Sequence, residues 1–74
     1  MTTVTFDYYM QGESGSDTYR LPSREAALEK FAVLKRHIEA ELPLSPDGIE
    51  LVDEPDFYGF RDTATGNYLR VYLD

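Results

Sequence analysis

The chain has 74 residues, no cysteine and a formal net charge of −7; a chain this short supports one core, with a stability margin on the order of 3–5 kcal/mol. The missing cysteine excludes a disulfide, a thiolate nucleophile and sulfur-ligated zinc or iron–sulfur clusters, and the charge opposes direct binding to phosphate backbones or anionic lipid. An apolar fraction of 42% with four Phe and six Tyr excludes a wholly disordered acidic chain.

Thr2 to Gln11 alternates, with Val4, Phe6, Tyr8 and Met10 on one side and Thr3, Thr5, Asp7 and Tyr9 on the other, which predicts a half-buried strand. "GESGSD" at 12–17 reads as a flexible turn and "TYRL" at 18–21 as a short antiparallel partner. At Pro22 and Ser23 the period changes. Ser23 fits a helix N-cap and Glu25 the first turn, where a negative charge suits the helix dipole. Ala27, Leu28, Phe31, Leu34, Ile38 and Leu42 then recur at helical spacing and predict an amphipathic stripe. On the outer surface Glu25–Glu29 is a mildly repulsive spacing and Lys35–Glu39 an attractive one. Pro43 ends the helix near Glu41.

"PLSPDG" at 43–48 predicts a loop and Ile49 to Val52 a short strand. After a turn at Glu54–Pro55–Asp56, "FYGFR" at 57–61 and "YLRVYL" at 68–73 flank "DTATGN" as a hairpin, with Gly66 available for positive φ. The order ββαβββ gives one α+β domain over residues 1–74: an antiparallel sheet of four to five strands with one helix on one face. That helix is expected to cover Val4, Phe6 and Tyr8 from the first strand and Leu69, Val71 and Leu73 from the last. Tyr9, Tyr68, Arg70 and Tyr72 then lie on the open face.

No apolar stretch approaches the ~20 residues of a membrane span. "MTTVTFDYYM" lacks the basic start and apolar run of a secretory leader. The expectation is a soluble, cytoplasmic protein without membrane contact.

The lone histidine, His37, borders the helix stripe, and no G-x-S-x-G elbow supplies a serine for it to activate. Ser14, Ser16, Ser23 and Ser45 fall in turns or caps. From Asp47, "DGIELVDEPDFY" fails the register of a calcium loop, and so small a domain encloses little of a sugar between two carboxylates. No enzyme, metal or cofactor is therefore expected.

The open face combines aromatics with Arg70, the residue types that anchor protein interfaces; cross-strand stacking that only stabilises the sheet explains them equally well. Homodimerisation through Tyr9, Tyr68, Arg70 and Tyr72, or through a free strand edge, is one expectation.

The leading expectation comes from charge placement. His37 to Phe60 holds seven of the fourteen acids (Glu39, Glu41, Asp47, Glu50, Asp53, Glu54, Asp56) and no Lys or Arg, so the rest of the chain balances. A solvated surface accounts for most charge runs, but solubility is met as well by interspersed signs, and self-repulsion costs stability. A basic partner would offset that cost. Along a strand, alternate side chains lie about 6.6 Å apart, comparable with the phosphate repeat of a nucleic acid. These seven acids are expected to bind a basic surface on a partner, such as a nucleic-acid-binding site, with Phe57 and Tyr58 as apolar anchors. In size, acidity and lack of cysteine the chain resembles in type the small phage-encoded inhibitors, many anti-CRISPR proteins and DNA mimics among them. That resemblance implies a bacterial host cytoplasm and assigns no residue a role.

Overall fold

The structure, a computed structural model, describes residues 2–42 and 47–73. Its elements are β1 (Thr2–Met10), β2 (Glu13–Leu21), α1 (Arg24–Ala40), β3 (Ile49–Glu54), β4 (Phe57–Asp62) and β5 (Tyr68–Leu73). The strands form one antiparallel sheet in the order β2-β1-β5-β4-β3, with α1 on one face. This is the α+β domain that the hydrophobic periods predict. Of the loop expected at 43–48, only Asp47 and Gly48 lie within the described residues.

The first hairpin departs from expectation. "GESGSD" is mostly strand, because β2 begins at Glu13 and pairs residue for residue with β1, from Met10↔Glu13 to Thr2↔Leu21. The connection shrinks to Gln11 and Gly12, both at positive φ, +53° and +86°, as in the mirror-image turns whose twist matches a hairpin. Gln11 is further held by its N–H, which donates to the Asn67 side chain at 3.1 Å. β3 is also longer than expected: it runs on to Glu54, leaving Pro55 and Asp56 as the whole turn into β4.

The Ser23 hydroxyl accepts from the Ala26 N–H at 3.1 Å and caps α1. Of the expected stripe, Ala27, Phe31 and Ile38 are buried and Leu34 and Leu42 are partly buried against them. Leu28 is 42% exposed. It lies one residue round from Ala27, and a flat sheet covers only a band about one helix wide. Val4 and Val71 are fully buried beneath Ile38's layer, with Tyr58, Phe60, Leu69 and Leu73 around them. Truncating Ile38 to Ala would cost about 2–5 kcal/mol, which is comparable with the margin of so small a domain.

α1 packs on β1, β2, β4 and β5 but leaves β3 uncovered. The register places Thr5, Asp7 and Tyr9 of β1 beside Tyr72, Arg70 and Tyr68 of β5 on the face away from the helix. Gly59 and Phe57 of β4 continue these rows.

Candidate protein-binding site

The acidic window folds into the helix end, the turn before β3, the β3 edge and the β3–β4 turn. Glu39, Glu41, Asp47, Glu50, Asp53, Glu54 and Asp56 are all exposed. β3 ends the sheet, so one side of its backbone has no strand beside it among the described residues. Because α1 stops short of it, both of its faces meet solvent: Leu51 is 51% and Val52 40% exposed.

Two of the seven acids find a base from outside the window. Asp53 meets Lys35 at 3.3 Å and Glu50 meets Arg61 at 2.7 Å. Lys35 thus bridges to β3 rather than to Glu39, the partner that helix spacing suggests, and its ammonium lies 5.0 Å from the centre of the Tyr58 ring. Both pairs are exposed, a setting in which an ion pair contributes about 0–1 kcal/mol. Glu39, Glu41, Asp47, Glu54 and Asp56 make no ion pair among the described residues.

The two expected apolar anchors separate. Phe57 lies on the open face, its ring stacked on Tyr72 at 5.9 Å and 12°. Tyr58 points the other way, as adjacent strand residues must, and at 3% exposure belongs to the core. Burial raises its pKa above the ordinary 10.0, and the charges of Glu39 and Asp53 raise it further. Tyr58, expected as a surface anchor, is therefore a core residue beneath the acidic window. Sequence reasoning missed Val52, which joins Glu54, Asp56, Phe57 and Tyr72 around a shallow hollow of about 480 Å³. The apolar floor and acidic rim suit a lysine or arginine, whose stem packs while its head stays polar. The signal was the extension of β3 past Val52, which puts Val52 and Glu54 on the Phe57 face.

The acids of β3 do not repeat at alternate positions. Glu50 and Glu54 flank Val52 on one face, and Asp53 shares the other with Ile49 and Leu51. A phosphate-like ladder along this strand is thus interrupted.

The open face holds the other expected group. Tyr9 stacks on Tyr68 at 6.1 Å, and the Arg70 guanidinium lies 4.8 Å from the Tyr68 centroid. Arg70 Nε donates to Asp7 Oδ2 at 3.1 Å and the Tyr72 hydroxyl donates to the same oxygen at 3.3 Å. Burial pushes the Asp7 pKa upward, but the hydrogen bonds from Ser16, Arg70 and Tyr72 and the charge of Arg70 outweigh it and hold the carboxyl below its ordinary 3.8. A second hollow, about 580 Å³, opens above Gly59 between Val52, Phe57, Arg61, Tyr68 and Arg70.

His37 is exposed in the last turn of α1. No group of three or more His, Asp or Glu side chains is disposed around a common metal position among the described residues. No helix among them is long and apolar enough to cross a membrane.

Fold and surface together define a small α+β domain with one acidic, uncovered edge strand and one uncovered aromatic sheet face. No protein-family model, no curated protein and no solved structure matches the chain.

Proposed function

We propose that the chain is a protein-binding module that occupies a basic surface of a partner, of the kind that binds nucleic acid, and thereby inhibits it as phage-encoded DNA mimics do. The observation that carries this reading is the β3 edge: a strand with no partner on its outer side among the described residues, Leu51 and Val52 exposed on it, and seven exposed acids on it, its flanking turns and the end of α1. The unpaired backbone offers hydrogen bonds to an added strand. The five acids without an ion pair supply the field that speeds encounter with a basic partner. The hollow bounded by Val52, Phe57, Tyr72, Glu54 and Asp56 gives one partner lysine or arginine a seat. With the phosphate-like ladder interrupted at Val52, mimicry here acts through the field and the edge rather than through copied spacing.

The test is affinity capture from a host lysate at low and high salt, followed by titration of the purified partner. Binding is expected to fall steeply with salt and to disappear when Asp53, Glu54 and Asp56 are all replaced by Lys, with the circular dichroism unchanged. A complex indifferent to both salt and these reversals would overturn the proposal.

A further inference from the structure

The sheet face away from α1 differs electrostatically from the rest of the molecule. The register assigns to it Asp7, Glu50 and Glu54 against Arg20, Arg61 and Arg70, so three acids meet three bases. The net charge of −7 therefore lies off this face, and also off α1, whose bases Arg24, Lys30, Lys35 and Arg36 outnumber its acids Glu25, Glu29 and Glu39. At the centre of this neutral face stand the two stacked pairs Tyr9–Tyr68 and Phe57–Tyr72. Beside them is the hollow over Gly59. Raised aromatics and a hollow on one surface are what an isologous, two-fold contact requires.

From this we infer that the open face is a self-association surface and that its occupant is a second copy of the same chain, packed sheet to sheet. An acidic protein repels its own copies everywhere except where its charges balance. On this face, with three acids against three bases, two copies meet without that repulsion. The molecule measures 38 by 22 by 16 Å, so a sheet-to-sheet contact has to cover nearly the whole of its broad side to reach the roughly 800 Å² per partner of a standard interface. Two sheets packed in this way lie about 10 Å apart, with tyrosines interleaved. Phe57 and Tyr72 belong both to this face and to the hollow assigned to a partner's basic side chain, so pairing of copies closes that hollow and the basic partner binds the monomer.

Sedimentation equilibrium over a wide concentration range, at low and at high salt, tests the inference. The expected result is a concentration-dependent mass rising from 8.5 kDa toward twice that value, little weakened by salt. Arg61 is exposed and its pair with Glu50 is a surface one, so Arg61→Glu is expected to keep the fold while turning the neutral face to about −2 per copy; it should weaken association by about tenfold or more and make it recover with salt. Tyr68→Ser, checked for folding by circular dichroism, should weaken it likewise, whereas Leu51→Lys on the β3 edge should leave it unchanged. A monomer up to about 1 mM, or a dimer that Leu51→Lys abolishes and Arg61→Glu spares, would overturn it; a small planar ligand lodged over Gly59 would appear as such a monomer.

Discussion

β2 and β3 are the two edges of one sheet, and they handle exposure in opposite ways. β2 is nine residues long and carries Ser, Gly, Thr and Asp where an edge would otherwise offer apolar contact. α1 covers its inner face, with Lys30 set 4.2 Å from the centre of the Tyr19 ring. β3 is six residues long, has no helix over it, and exposes Leu51 and Val52 between its acids. Polarity is the cheaper protection for an edge. An edge that keeps apolar side chains and guards them with like charges remains selective, open to a basic strand and closed to another acidic one.

The largest expected effect contrasts one glycine near each edge. At Gly59, beside β3, an added Cβ would lie 2.6 Å from the Leu69 carbonyl oxygen and 2.8 Å from the Arg70 Cα, backbone atoms of the neighbouring strand that cannot yield. Gly59→Ala is expected to cost about 3 kcal/mol and, if the protein still folds, to lower the melting temperature by roughly 15 °C. At Gly15, in β2, the added Cβ would meet the far end of the Tyr8 ring at 2.5 Å, which can swing aside. Gly15→Ala is expected to cost about 1 kcal/mol or less. Thermal melts of the two variants that gave the reverse order would show β2 to be the rigid edge.

Titration separates the two faces in the same way. The folded state holds Asp7 below 3.8, so its contribution to stability is present above that value and is lost as pH falls through the lower, folded value. The Arg70 and Tyr72 contacts on the open face should loosen in strong acid, and Asp7→Asn should flatten the acid limb of a denaturation curve. Tyr58 behaves oppositely. Its pKa is raised above 10.0, so stability is intact below that value and declines as pH rises, because the unfolded chain releases the proton first. In a tyrosinate absorbance titration Tyr58 should ionise above the ordinary 10.0, and Tyr58→Phe should remove that late step.

Much of this fold was legible because apolar residues alternate cleanly in β1 and β5 and recur at helical spacing in α1. β2 carries no such pattern over its first five residues, Glu13 to Asp17. Its inward positions include Gly15 and Asp17, so no apolar period marked it, and its turn depended on Gln11 adopting a positive φ that its side chain does not announce. Within the site, Phe57 could be placed from strand alternation alone. Tyr58 could not be assigned to the surface once β4 had neighbours on both sides, since the residue next to an outward Phe57 must point inward. The counterions of Asp53 and Glu50 come from Lys35 and Arg61, outside the window, and only the folded register brings them there.

Lys35 provides the smallest and most discriminating test of the contrast between edges. Among the described residues it is the α1 side chain whose ion pair reaches β3, and it also lies over Tyr58. Lys35→Met keeps the aliphatic stem against the ring and removes the charge. The lost pair is partly exposed, so stability should fall by less than about 1 kcal/mol. The effect on binding should have the opposite sign. Without its ammonium, Asp53 joins the five acids that have no ion pair, the β3 edge gains one unit of uncompensated negative charge, and a basic partner should bind more tightly with a steeper salt dependence. Weaker binding in Lys35→Met would mean that this lysine, and not the acidic edge beside it, makes contact with the partner.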